Sequence, residues 1–129
     1  MKIKTLVLSN GALEEKEIHN TLEDLQKIVD GYIEMPYLSR VFAENDIDII
    51  INEEGKLIEG MKPEIAIISN HEVLDIVYGN CIFVSHNEDG ETTSLTEAQM
   101  DIVKEELNRV IVLMNEASFD MFNVRALFI

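Results

Sequence analysis

Cysteine is nearly missing from this chain, since Cys81 is the only one among 129 residues. A single cysteine excludes a disulfide within the chain and is typical of proteins that fold in a reducing compartment. Long apolar runs are missing too: none approaches the roughly 20 residues that a membrane-spanning helix needs, and the start MKIKTLVLSNG has only a short apolar segment. The sequence therefore predicts a soluble, cytoplasmic protein that does not enter membranes.

Basic residues are also scarce. Ten lysines and arginines stand against 25 aspartates and glutamates, which gives a formal net charge of −15 at pH 7. Binding a nucleic acid polymer requires many cations to replace its counterions, so general DNA or RNA binding is excluded. One small anion is still allowed, because a few cations inside a pocket can outweigh a more distant surface charge.

The sequence patterns of common active sites are missing as well. There is no glycine-rich phosphate loop, no GxSxG and no HExxH. The three histidines, His19, His71 and His86, lie far apart and have no Cys or His at metal-ligand spacing. The segment HNED at 86–89 is interpreted as an acidic turn. We therefore predict no enzymatic activity, no catalytic residue, no bound metal and no cofactor.

The first two-thirds of the chain favours antiparallel strands with one short helix, within a single domain over 1–129. Strands at 2–9 and 13–19 are joined by the turn-forming pair Asn10-Gly11. A helix follows a cap at Thr21 and ends at Gly31. Further strands are predicted at 32–38, at 47–52 and 56–60 as a hairpin, and at 73–80 and 81–86, while 63–68 fits either a strand or a short helix.

The carboxy-terminal part predicts a long helix from 97 to about 116, capped by Thr96, and then a strand over 121–129. The segment VIVLM at 110–114 would be apolar all round such a helix, which predicts a second partner surface. A second copy is the usual partner, so we expect a homodimer or a higher homo-oligomer with its interface in 97–129. The alternative is that the carboxy-terminal segment folds back within one protomer. The expected fold class is α+β, a mostly antiparallel sheet with one short and one long helix.

Three motifs occur in a characteristic order: TLEDLQKIVDGYIE at 21–34, INEEGKLIEGMKP at 51–63 and DIVYGNCIFVSHNEDGETTSLTEAQ at 75–99. Together they resemble a family of short phage and mobile-element proteins known as a domain of unknown function. The apolar extension after about residue 105 is similar to that of the phage anti-Thoeris sponge proteins.

The second resemblance implies an anti-defence function in the cytoplasm of a host cell. Sponge proteins sequester a cyclic ADP-ribose-type signal made by TIR enzymes, without degrading it, and hold it between protomers. Some also hold cyclic oligonucleotides. The partner implied for this chain is therefore a small cyclic nucleotide.

A site for such a ligand needs cations for the diphosphate, an aromatic platform for the base, and amides or hydroxyls for base edges and ribose. The candidate ligand-binding residues are Arg109, Phe83, Asn80, Asn87, Thr92, Thr93, Arg125 and Lys62. Each also has a structural interpretation: Phe83 fits a core position, Asn80 and Asn87 fit turns, and Arg109 fits an ion pair with Glu105.

A different class of function is the alternative. An acidic chain of this size can be an inhibitor or adaptor that binds a host protein, and its charge can mimic that of a nucleic acid. Such a protein needs no small-molecule pocket and would co-purify with a basic host protein, whereas a sponge predicts a thermal shift with the cyclic nucleotide and release of intact ligand after heat denaturation.

Overall fold

A computed structural model describes residues 1–115 and 117–129, and within these residues the chain forms ten strands and three short α-helices. The strands are β1 (Lys2–Ser9), β2 (Ala12–His19), β3 (Ile33–Glu34), β4 (Ile47–Asn52), β5 (Pro63–Ser69), β6 (Glu72–Tyr78), β7 (Cys81–His86), β8 (Thr92–Thr93), β9 (Val110–Met114) and β10 (Met121–Phe128). The helices are α1 (Leu22–Val29), α2 (Arg40–Glu44) and α3 (Glu97–Glu106).

The strands form two sheets. Sheet I has the order β2-β1-β7-β4-β3, with β8 pairing beside β7, and sheet II has the order β6-β5-β10-β9. All pairs are antiparallel except β5 with β10, which are parallel. None of the helices in the described residues is long and apolar enough to cross a membrane.

Sheet I is covered on both faces, and β7 shows why. Phe83 packs in one apolar cluster with residues of sheet II and α3, while Ile82 and Val84 pack in another with Leu25 and Val29 of α1. Side chains alternate between the faces of a strand. A strand buried on both faces reads as a continuous apolar run, which is what CIFV shows.

Local signals placed the first elements correctly. Asn10 and Gly11 have φ values of 51° and 81° and join β1 to β2, as predicted. The Thr21 side chain accepts a hydrogen bond from the Asp24 amide and begins α1. The predicted stop at Gly31 is wrong, because Asp30 takes the left-handed conformation with φ 61°. Gly31 is instead required by a close approach: a Cβ there would lie 2.5 Å from Nδ2 of Asn52.

The expected α+β class with a long carboxy-terminal helix is wrong, because the chain is mostly β. The predicted capping box of Thr96 and Gln99 does begin a helix, but α3 ends at Glu106 and residues 110–114 form β9. The run Val-Ile-Val is β-branched and favours a strand. Residues 110–114, which would be apolar on every side of a helix, therefore form a strand with apolar side chains on both faces.

Two other predicted elements differ from those in the structure. The strand expected over 32–38 is limited to Ile33–Glu34, and the hairpin of 47–52 with 56–60 does not form. Residues 55–57 make a turn of 3₁₀ helix, and β4 pairs with β7 and β3. The segment 63–68 lies in β5, and the strand predicted for 121–129 is confirmed as β10.

Candidate functional site

A cleft of about 390 Å³ opens between the ends of the two sheets. Its apolar lining comes from Leu38, Ile51, Ile67 and Val77. Tyr78 and the 73%-exposed Tyr37 supply aromatic rings. An apolar cavity with a few polar groups at its mouth is the usual form of a binding site. We call this feature the acidic cleft because of its charged residues.

The charged residues of the acidic cleft are mostly carboxylates. Glu34, Glu53, Glu54 and Asp75 line it together with one lysine, Lys56. The Lys56 ammonium donates a hydrogen bond to Asp75 and forms an ion pair with it. This hydrogen bond lowers the pKa of Asp75. Three carboxylates therefore have no lysine to neutralise them within the cleft, and the field there attracts cations.

The wall that carries these carboxylates is held in place by Asn52. This buried amide donates hydrogen bonds to the carbonyls of Val29, at 3.1 Å, and Asp30, at 2.9 Å. Its Oδ1 accepts a hydrogen bond of 2.7 Å from the amide of Glu54. Because the Asn52 side chain bonds both the end of α1 and the amide of Glu54, the loop that carries Glu53 and Glu54 is fixed to the end of α1 before any ligand binds.

The two residues expected to stack on and neutralise a nucleotide have other contacts. Phe83 is fully buried, with its ring centroid 5.8 Å from that of Phe42 in an edge-to-face arrangement. Arg109 is exposed, and its guanidinium lies 5.3 Å from the ring centroid of Phe128. A ring inside the core offers no platform to a ligand. The Arg109 contact is a cation–π interaction.

Arg125 holds three parts of the fold together. Its Nε and Nη2 donate to the carbonyl of Gly11, at 3.2 and 2.9 Å, and its Nη1 donates to the carbonyl of Leu107, at 2.9 Å. These bonds tie β10 to the β1–β2 turn and to the end of α3. Lys62, the other candidate cation, is exposed, and its carbonyl accepts a bond of 2.8 Å from the Gly79 amide.

The polar candidates serve local structure. Asn80 donates to the carbonyl of Ile28 at 3.0 Å, and Asn87 Oδ1 accepts bonds of 3.0 Å from two amides of its own turn. Thr92 and Thr93 are half-buried in β8. None of the eight predicted ligand residues, all of which lie in the described part of the chain, lines the acidic cleft.

The family model of the domain of unknown function DUF3846 matches residues 1–108. The chain belongs to the DUF3846 family. No curated protein and no solved structure matches it. The expected membership in a family of unknown function is thus confirmed. The DUF3846 match includes every residue of the acidic cleft and ends before β9 and β10.

Sequence reasoning missed the acidic cleft because its parts come from separate segments. Glu53 and Glu54 were assigned to a hairpin turn, and Asp75 to an ordinary strand. One signal was available: Asp75 is two residues before the buried Val77 and so shares its face of β6, and a polar residue on the core-facing side of a strand is unusual. The pairing of Asp75 with Lys56 is nonlocal and appears only once β6 lies against the 53–57 loop.

A second charged cluster links β7 to β4 in this DUF3846 protein. His86 Nδ1 lies 2.7 Å from Asp48 Oδ2, and His86 Nε2 lies 3.4 Å from Asp46 Oδ1. The hydrogen bond to Asp48 raises the pKa of His86 above its ordinary value of 6.5, against a smaller opposing effect of burial. Both aspartates are therefore partners of the imidazole.

This pairing predicts a pH dependence of stability. A histidine with a raised pKa in the folded state stabilises the fold while it is protonated. Its contribution to stability is fully present below the pKa of the unfolded chain and is lost as pH rises through the pKa of the folded protein. We expect the urea midpoint to fall as pH rises above about 6.5, the ordinary value for histidine, and His86→Gln to remove part of that slope. Asp48→Asn should remove a similar part, whereas an unchanged slope in both variants would contradict the pairing.

Proposed function

We propose that this DUF3846 protein is a non-enzymatic binding protein whose acidic cleft holds a basic segment of a partner protein. The observation that carries the proposal is the charge of the cleft: four carboxylates and one lysine, with that lysine already paired to Asp75. A ligand that supplies lysine or arginine side chains would complement this lining.

The apolar and aromatic parts of the cleft fit the same ligand. Lysine and arginine carry long apolar stems behind their charged ends, and the floor at Leu38 and Ile51 can cover such stems. Tyr37 and Tyr78 offer ring faces to a cation. Carboxylates such as Glu53 and Glu54 can accept the paired hydrogen bonds of a guanidinium.

The only thiol of the chain is not available as a nucleophile. Cys81 is fully buried in β7, and burial raises the pKa of its thiol far above the usual range. A thiol that stays protonated and inaccessible is inert, because the thiolate is the reactive form.

Capture of a cyclic ADP-ribose-type signal, in a phage protein acting in a host cytoplasm, remains a prediction from resemblance. A diphosphate needs free cations around it. Arg125 already donates hydrogen bonds to two backbone carbonyls, and Arg109 lies over Phe128 and does not line the acidic cleft. This geometry gives more support to a basic protein partner, the second class of function expected from the sequence.

The proposal predicts that a short arginine- and lysine-rich peptide binds the acidic cleft. In calorimetric titration, the double variant Glu53→Gln, Glu54→Gln should bind this peptide at least about tenfold more weakly, since two charges near the ligand are lost. The matched control is Glu14→Gln, Glu17→Gln on β2, which changes the net charge equally at an exposed site outside the cleft. The control should stay within about twofold of the parent protein.

Two results would contradict this function. Equal weakening by both double variants would show attraction to the whole acidic surface, and no binding by the parent protein would exclude a basic ligand. A cyclic ADP-ribose isomer belongs in the same titration. Tight binding of that nucleotide, with intact release on heating, would favour sequestration instead.

A further inference from the structure

The edges of the two sheets differ in charge. The outer strand β2 carries Glu14, Lys16 and Glu17, and the outer strand β6 carries Glu72 and Asp75. Charged side chains on an edge strand, and very short edge strands such as β3, prevent pairing with other chains. The outer strand β9, Val110–Met114, has no charged residue, no proline and no glycine.

The free backbone groups of β9 can be identified from its pairing with β10. The amide of Ala126 donates to the carbonyl of Arg109 at 2.9 Å, and the amide of Asn115 donates to the carbonyl of Asp120 at 2.8 Å. In an antiparallel pair, alternate residues exchange hydrogen bonds. Odd-numbered residues of this segment therefore bond β10, and Val110, Val112 and Met114 direct their amides and carbonyls outward.

We propose that two copies of the chain pair through β9, antiparallel about a two-fold axis at Val112. Val112 would then exchange hydrogen bonds with the partner's Val112, and Val110 with the partner's Met114. This register uses all the outward groups of the three residues, about six hydrogen bonds in total. It joins two copies of sheet II into one continuous sheet.

Side chains also favour this register. Val110, Val112 and Met114 are each 54% exposed, although they are apolar. Pairing would place each of them beside an apolar side chain of the second copy, as cross-strand neighbours that stabilise a sheet. On the other face, Ile111 would lie opposite the partner's Leu113.

The local charge of β9 does not favour a basic partner, because the strand has no acidic residue and Arg109 directly precedes it. Each copy carries a formal charge of −15, so two copies can meet only where acids are absent. The contact strand is flanked by Asn108, Arg109 and Asn115. In the proposed register Arg109 would lie on the same side of the sheet as the partner's Asp120, an oppositely charged residue. A basic protein would be drawn instead to the acidic cleft.

The two surfaces are separate. Sheet II places β6, which lines the acidic cleft, and β9 at its opposite edges. Pairing through β9 therefore leaves the cleft of each copy open, and the dimer would present two clefts to a partner. The proposal thus narrows the predicted oligomer interface in 97–129 to one strand edge, with no helix in the contact.

The test is the mass of the protein in solution, measured by sedimentation equilibrium over a range of concentrations. We expect a monomer–dimer equilibrium whose dissociation constant rises about 100-fold or more in Val112→Lys, because two like charges would meet at the axis. Val112→Pro removes one outward amide and should weaken the dimer too. The β9–β10 pairing within each copy should persist, because the Val112 amide does not bond β10. The matched control, Val73→Lys on the β6 edge, replaces a 46%-exposed valine and should leave the constant unchanged.

A parent protein that stays monomeric at every concentration would overturn the proposal. So would a dimer that Val112→Lys leaves intact, or one that Val73→Lys disrupts equally. Because peptide binding in the cleft is measured separately, failure of the β9 contact leaves the proposed function standing.

Discussion

Replacing Phe83 with alanine is expected to lower the free energy of unfolding by about 4 kcal/mol, the usual result for a buried phenylalanine. Its side chain is fully buried between the sheets and meets Phe42 edge to face. Alanine would leave a cavity where β7 pairs with both β1 and β4. Neighbouring strands on both sides restrict any collapse into that space.

Urea unfolding followed by circular dichroism measures this change. Phe119→Ala is the matched control, because Phe119 is 76% exposed and its removal should change the free energy of unfolding by less than about 0.5 kcal/mol. A loss below about 1 kcal/mol in Phe83→Ala would show that the ring is accessible. That result would support the predicted role of Phe83 as an aromatic platform for a ligand.

Replacing Glu64 with alanine is expected to lower the free energy of unfolding by about 3 kcal/mol, because two hydrogen bonds to a buried charged group would be lost, and such bonds contribute about 1.5–3 kcal/mol each. Glu64 is only 2% exposed, on β5. Its two carboxylate oxygens accept bonds of 2.9 Å from the amides of Asn10 and Gly11. The side chain therefore fastens the β1–β2 turn of sheet I to sheet II.

Two further variants make this prediction specific. Glu64→Gln keeps one acceptor oxygen and should lose roughly half as much stability as Glu64→Ala. Glu17→Ala removes an exposed carboxylate from β2 and should have an effect near zero. If Glu64→Ala proves as stable as the parent protein, the turn is not held by this carboxylate.

The elements that the sequence predicts correctly are those with local causes. Asn10-Gly11 forms a hairpin because both residues accept positive φ. Thr21 and Thr96 begin helices because a hydroxyl satisfies a free amide three residues later. These signals act within a few residues, so one sequence is enough to recognise them.

The elements that were mispredicted depend on distant partners. The segment 110–114 fits an apolar helix or a strand by pattern alone, and its pairing with β10 decides the outcome. The same limit applies to the site. An arginine in a small protein suggests an anion ligand, but Arg125 bonds the carbonyl of Gly11, a residue 114 positions away. Residue type predicted which groups can bind ligands, and packing decided which remain free to do so.

The parallel pairing of β5 with β10 has a consequence during protein synthesis. β5 leaves the ribosome about 60 residues before β10 does, which at typical translation rates takes several seconds. Throughout that interval the side of β5 that later pairs with β10 has no strand beside it, although Ile65 and Ala66 are among the most buried residues of the finished fold. The nascent chain therefore presents an apolar edge to chaperones and to neighbouring nascent chains until β10 pairs with β5.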